Sequence, residues 1–364
     1  MTYTVLARKW RPKIFSDVVG QEHVLMALMN GLSLGRIHHA YLFSGIRGVG
    51  KTTIARILAM CFSCKIGITV IPCGKCTNCL EILKGKFIDL IEVDAASRTK
   101  VEDMRDLLDN IQYAPVNGRF KIYLIDEIHM LSRHSFNALL KNLEEPPLHV
   151  KFLIATTDPD KIPATILSRC MKLHLKKLDD IQISKKINYI LQKEGIFSES
   201  GTIEIISRAA DGSMRDALSL TDQAIAIGNG HITNVGINSM LGISNNEYPL
   251  CLIEALVEGD GEKIMNLLDI ISSIGCVDWE VLLIDMLRLL HRVLMIQLIP
   301  SSSNEEKYDN ISRLNKLAKT ASPNELQLYY QIILMGRKDL LIAPNYRIGI
   351  DITLLRALAF RFKN

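Results

Sequence analysis

The sequence has little surplus of charge of either sign: 43 Lys and Arg stand against 39 Asp and Glu, a net of +4 over 364 residues. That balance, with 48% hydrophobic and 23% charged residues, excludes a chain too charged to collapse and a histone-like basic arm. Net charge therefore says little about nucleic acid. A long apolar run is missing too. The longest stretch, Val281 to Ile299, is broken by Asp285, Arg288, His291 and Arg292, well short of the ~20 uninterrupted apolar residues that a bilayer crossing needs. It reads as an amphipathic helix. The start, MTYTVLARKWRP, has neither an apolar h-region nor a small-residue cleavage site, so the expectation is a cytoplasmic protein with no export signal. No internal repeat and no low-complexity tail interrupts the pattern. Cysteines are few outside one short stretch, which holds Cys61, Cys64, Cys73, Cys76 and Cys79. A disulfide framework would be spread along the chain, so metal binding is the leading reading.

The length suggests two or three domains. The first 240 or so residues alternate short β-branched runs with helical periodicities, the pattern of an α/β domain with a largely parallel sheet. Strands are expected at Ala40–Ser44, Ile88–Val93, Phe120–Ile125, Val150–Thr156 and Met171–Leu175. Between them, Val101, Met104, Leu108 and Ile111 share one helical face, as do Phe136, Leu139, Leu140 and Leu143 behind the N-cap candidate Ser132. From about Leu178 the strand signal ends, and glycines at 195, 212 and 228–230 punctuate helices. The expected division is an α/β core over 1–178 with a cysteine module at 61–80, a helical lid over 179–242 and an all-helical domain over 243–364, where Pro323 and Pro344 mark helix boundaries.

The chemistry concentrates in three places. Gly45, Ile46, Arg47, Gly48, Val49, Gly50, Lys51 and Thr52 match G-x-x-x-x-G-K-S/T between a strand and a helix. Glycines there let backbone N–H groups turn around phosphate oxygens, the helix presents its positive end, and a lysine neutralises the outer phosphates. Thr52 is the candidate Mg²⁺ ligand. The apolar strand Ile122–Ile125 ends in Asp126 and Glu127, at the edge where open α/β sheets bind ligands. Asp126 is expected to hold the magnesium ion through water, and Glu127 to polarise a water for attack on a γ-phosphate. The alternative is a solvated strand end. The third place is Cys64, Cys73, Cys76 and Cys79, four thiolates with two tight spacings, suited to a closed structural Zn²⁺. Free thiols and an iron–sulfur cluster are the rivals, but the further cysteine and proline of the ferredoxin run are absent. Cys61, Cys170, Cys251 and Cys276 read as small buried residues.

With these motifs in place, the sequence resembles the bacterial DNA polymerase III gamma/tau family, AAA+ ATPases of the sliding-clamp loader. Further matches are Leu6 to Pro12, Asp17 to Gln21, Ser168-Arg169-Cys170 and Gly212 to Asp216. The resemblance implies an α/β core, a helical lid and a helical collar that assembles with related subunits, delta and delta-prime, and with copies of the chain. It implies that Arg169 reaches ATP held by a neighbour, that Arg215 is the lid's sensor arginine, and that Thr157 stands beside the γ-phosphate. Arg11, Pro12, Val18, Val19 and Gly20 match the segment that holds adenine and ribose, and Thr53 belongs to the same nucleotide site. On the residues alone, Trp10 and Val18 read as core; the alternative for Arg169 is a surface arginine paired with some local carboxylate. The implied activity is ATP-driven opening of the clamp and its loading on primed DNA, held through phosphates; Arg98, Lys100 and Arg105 are weak candidates for that surface. A non-hydrolysing scaffold and another DNA-acting motor, of branch-migration type, are the alternatives. Longer relatives continue into segments that bind the helicase and the polymerase core, contacts that are doubtful for a chain ending at Asn364.

Overall fold

The structure, a computed structural model, describes residues 5–97, 110–241, 247–273, 278–299 and 311–360. It divides into two compact units, Met1–Ile232 and Thr233–Asn364.

In the first unit five strands form one parallel sheet: β1 (Ala40–Ser44), β2 (Leu90–Asp94), β3 (Lys121–Asp126), β4 (Val150–Thr156) and β5 (Met171–His174), in the order β2-β3-β4-β1-β5. β1 and β4 are buried at every position, as expected for strands covered on both faces. Two strands match the expected bounds; β2, β3 and β5 differ by one or two residues at their ends. Alternate side chains feed two cores. Tyr41, Phe43, Leu124, Leu153 and Leu173 pack with α2 (Glu22–Ser33) and α3 (Lys51–Ser63) on one face. Leu42, Tyr123, Ile125, Phe152 and Ile154 pack with Phe136, Leu139 and Leu143 of α5 (Arg133–Glu144) on the other. Ser132 caps α5, its Oγ accepting the Ser135 N–H at 3.2 Å. Within the helix anticipated over Val101–Ile111, residues 101–109 lie outside the described residues, as do Arg98 and Lys100.

The P-loop helix α3 is enclosed on nearly every side, from Ile54 to Ser63. It ends at Cys64, and an insertion returns through α4 (Thr77–Lys84) to β2. Polar contacts tie this insertion to the core. Asn78 Nδ2 donates to Ser63 O at 2.9 Å, and Arg119 donates to the carbonyls of Cys64 and Lys65. Buried Asp89 accepts the N–H groups of Val116, Asn117 and Gly118 at 2.6–2.7 Å, which shapes the loop that carries Arg119.

After β4 come α6 (Ala164–Leu167), β5 and then three helices, α7 (Asp180–Glu194), α8 (Thr202–Ala209) and α9 (Met214–Ile227). Asp179 and Gln182 form a capping box on α7, and Gly195 closes it with φ 69°. The amino-terminal segment straps this helical layer to the core. α1 (Leu6–Lys9) packs against Ile190 and Leu218, Leu6 N–H donates to Asp222 Oδ2 at 2.7 Å, and Trp10 Nε1 donates to Glu194 at 2.8 Å. Trp10 is thus half-buried in the strap. Next in sequence, Arg11 Nε donates to Thr53 of α3 at 3.1 Å. Gln21 pairs with both backbone groups of Lys176, donating at 2.7 Å and accepting at 3.0 Å.

The second unit is helical throughout its described residues: α10 (Asn234–Leu241), α11 (Glu247–Glu258), α12 (Gly261–Ser273), α13 (Trp279–Leu298), α14 (Ile311–Thr320), α15 (Pro323–Asp339) and α16 (Tyr346–Ala359). Their core runs through Leu252, Leu283, Met286, Leu290, Leu326, Tyr329, Ile350 and Leu354. The Val281–Ile299 stretch forms most of α13, with Leu283, Met286 and Leu290 inward and Arg288 outward. Pro323 opens α15 behind a Ser322–Glu325 capping box, and Pro344 directly precedes the α16 cap Asn345. At Gly336 the two last helices touch so closely that a Cβ would stand 2.3 Å from Thr353 Cγ2. Cys61 and Cys170 are buried as expected. Cys251 is only half-buried, and Arg313 reaches its Sγ at 3.4 Å while pairing with Glu254; Cys276 lies outside the described residues. No described helix is long and apolar enough to cross a membrane.

Candidate functional site

A parallel sheet brings the carboxyl ends of its strands to one edge. In register, Ser44 of β1 lies opposite Thr156 of β4, so the P-loop that follows Ser44 and the Thr157 that follows Thr156 leave the sheet side by side. Asp126 and Glu127 leave β3 at the same edge, next to β4.

Gly48 carries φ 80° and Gly50 φ 103° as the loop turns into α3. Lys51 is buried, and its Nζ donates to the carbonyls of Gly45 and Ile46 at 2.9 Å each. Burial holds this lysine below its ordinary range, against the opposing pull of Glu127 and Asp126. Thr52 Oγ1 donates to Asp126 Oδ2 at 2.7 Å. A hydroxyl and a carboxylate so joined are hard oxygen donors of the kind Mg²⁺ takes up together with water and phosphate. The donor set therefore fits that ion.

Glu127 adopts φ 48°, and its Oε2 accepts from the backbone N–H and the hydroxyl of Thr157, both at 2.9 Å. His129, which sequence reasoning did not single out, stands behind them. Its Nδ1 is 3.0 Å from Thr156 Oγ1 and 3.4 Å from Glu127 Oε2.

The helical layer reaches the same place. Arg215 N–H donates to Gly48 O at 3.4 Å, and a Cβ on Gly48 would fall 1.9 Å from Ser213 Oγ and 3.3 Å from Arg215 Cβ. The lid therefore rests directly on the P-loop, and only glycine admits that approach. Beside it, Arg11 and Pro12 line a small pocket with Thr53, Arg56 and Ile57. Arg11 is pushed down to about 10, first by burial and then by Arg56, with Glu92 opposing and Arg215 adding to the depression. Arg11, Arg56 and Arg215 stand close enough for the last two to depress the first, and such a concentration of cations favours a multiply charged anion. Of the other residues matched to the adenine segment, Val18 packs on the core as its apolar character suggested, Val19 is half-buried, and Gly20 lies against Leu178 and Gln182.

Arg169 is not at this edge. It follows α6, is about one-third exposed, and donates to Glu144 Oε1 and to Thr165 O, both at 2.7 Å. The local carboxylate anticipated for it is Glu144, at the end of α5.

The cysteines converge as their spacing predicts. The Sγ atoms of Cys64, Cys73, Cys76 and Cys79 all lie within 4.8 Å of one another. Cys73 and Cys76 each accept a backbone N–H, from Cys76 and Cys79 at 3.4 Å. Backbone N–H groups of Lys75 and Cys76 hold the Cys73 thiol down to about 6, which favours thiolate, the form that binds metal. Four sulfurs so gathered fit Zn²⁺. Cys61 is outside the group and donates to Val70 O at 3.6 Å.

Three family models match in succession along the chain. That of the DNA polymerase III delta subunit matches residues 20–179, that of the DNA polymerase III clamp loader subunit ATPase lid domain 182–230, and that of DNA polymerase III subunits gamma and tau domain III 232–362. DNA polymerase III subunit tau of Salmonella typhimurium is 61% identical over 360 residues, covering 99% of this chain and 56% of the relative. Subunit gamma of Buchnera aphidicola subsp. Acyrthosiphon pisum is 51% identical over 362 residues and covers 99% of both chains. Subunit gamma/tau of Mycobacterium bovis is 34% identical, over 97% of this chain and 62% of that one. The chain thus spans little more than half the length of the tau relative and the whole of the gamma relative.

Proposed function

The chain belongs to the DNA polymerase III gamma/tau family, and from that premise we propose that it is an ATPase subunit of the replicative clamp loader, using ATP to open the sliding clamp and load it on primed DNA. The observation that carries this reading is the meeting at one sheet edge of Lys51, the Thr52–Asp126 pair and the Glu127–Thr157 pair with Arg215 from the lid.

The triphosphate lies along Gly45–Gly50, and Lys51 exchanges its two carbonyl partners for phosphate oxygens. Thr52 and, through water, Asp126 would hold Mg²⁺, which would offset the charge of the outer phosphates. Glu127 takes a proton from a water whose oxygen bonds to the γ-phosphorus; the bond from that phosphorus to the β–γ bridging oxygen breaks, leaving ADP and phosphate. Thr157 positions Glu127. Arg215 draws the lid onto the phosphates, and Arg11, Pro12, Val18, Val19 and Thr53 hold the nucleoside side. Arg169 makes no hydrogen bond to its own P-loop among the described residues, which suits an arginine offered to the nucleotide of the next subunit.

On this reading the core, lid and collar run over 1–178, 179–242 and 243–364. The partners are copies of the chain, the delta and delta-prime subunits, the clamp, and DNA gripped through its phosphates without sequence choice. Zinc on Cys64, Cys73, Cys76 and Cys79 staples the insertion and takes no part in hydrolysis. The work is done in the cytoplasm, away from membranes.

The test is phosphate release by the loader assembled with clamp and primed DNA, wild type against Glu127→Gln. Equal release overturns the assignment, as does undiminished clamp loading by Lys51→Ala. Failure of the chain to capture clamp-loader subunits from solution would point instead to a motor of another kind.

A further inference from the structure

We infer that Glu144 is a positioning residue for Arg169, holding its guanidinium in the pose from which it is delivered to a neighbour's nucleotide. The inference rests on the trans role given to Arg169 above.

Three observations carry it. First, the guanidinium is held from two sides: Nη2 donates to Glu144 Oε1 and Nη1 to the carbonyl of Thr165, each at 2.7 Å. A charge-assisted bond on one amino group and a backbone bond on the other set the plane of the head group, while about a third of the side chain stays open to a partner.

Second, the pair has little to do for stability. Glu144 is half-exposed, and exposed pairs of this kind contribute little. A carboxylate in the last turn of α5 also opposes the helix dipole, so the helix itself gains nothing from it.

Third, the pair joins two segments that both start at the catalytic edge. From Glu127 the chain passes through the turn Ile128–Met130 and along α5, on the order of 18 Å, to Glu144. From Thr157 it passes through the turn Pro159–Lys161 and α6 to Arg169. The two segments are bonded at their start, Glu127 to Thr157, and again at their finish, Glu144 to Arg169. Glu144 therefore sets Arg169 against the same framework that carries the water-activating carboxylate.

The experiment is a double-mutant cycle on the fully assembled loader with clamp and primed DNA, read by single-turnover ATP hydrolysis, which resolves slow rates. Glu144→Gln is expected to lower the rate about five- to tenfold with the ATP concentration at half-maximal rate unchanged. Glu144→Asp recovers at least half of the loss, and the melting temperature moves little in either variant. In an Arg169→Ala background, Glu144→Gln has no further effect. A wild-type rate for Glu144→Gln, or the same loss with and without Arg169, overturns the inference while leaving the ATPase reading intact. A wild-type rate for Arg169→Ala alone would instead remove the trans arginine on which the inference stands.

Discussion

The carboxylate of Glu127 is bonded twice to Thr157, once through the backbone N–H and once through the hydroxyl, both at 2.9 Å. Glu127 occupies the left-handed region at φ 48°, a conformation that costs roughly 1–2 kcal/mol outside glycine and that this double tie helps to hold. Glu127→Gln is expected to lower phosphate release at least about 100-fold with nucleotide binding retained. Thr157→Ala keeps the backbone donor and loses only the hydroxyl, so its loss is smaller, about tenfold. A wild-type rate for Thr157→Ala would take the threonine out of the mechanism.

Gly48→Ala puts a methyl group 1.9 Å from Ser213 Oγ on a backbone at φ 80°. Strain of about 1–2 kcal/mol in the loop adds to the displacement of the lid. Titration with a fluorescent ATP analogue is expected to show affinity at least about tenfold weaker. Unchanged affinity would mean that the lid can withdraw from the P-loop at no cost to binding.

Freshly purified protein is expected to carry about one equivalent of zinc, and chelation to lower its melting temperature by several degrees while leaving hydrolysis in place. Cys79→Ser should lose the metal. Cys61→Ser should keep it, since Cys61 bonds to Val70 O and stands apart from the four sulfurs. Less than about half an equivalent in the wild type would count against a structural zinc.

The strap gives a dependence on pH. Its hydrogen bond from Lys9, and then that from Trp10, hold Glu194 below its ordinary carboxyl value of 4.5. A group whose folded pKa is depressed stabilises fully above its unfolded value, and the contribution is lost as pH falls through the folded one. In a Trp279→Phe background, Trp10 emission should therefore change as pH falls below about 4.5, and Glu194→Gln should abolish that change. The same acid limb in both proteins would show that the strap is held by other contacts.

Much of this architecture was legible because its signals are local. β1 and β4 have the expected bounds, since continuous apolar runs between polar turns leave strand ends little freedom. The P-loop and the four cysteines were legible for the same reason: spacing along a short segment already dictates which atoms can converge. The pairings that complete the site were not. Glu144 and Arg169 lie 25 residues apart, and Gln21 grips Lys176 across 155 residues. No periodicity links such partners, and only the sheet order brings them together. Trp10 read as core because an indole is mostly carbon, yet Glu194 receives its N–H and the ring lies across Tyr189 at 5.9 Å.

The strand order has a consequence for how the chain is made. β1 lies between β4 and β5, so the first strand of the sheet has no neighbouring strand until on the order of a hundred further residues have been translated. Until then both its edges and the face that carries Leu42 lack their partners, and the nascent chain is exposed to chaperones and to aggregation through this interval. A synonymous codon change that slows translation before β4 would lengthen that interval without altering one side chain of the finished protein.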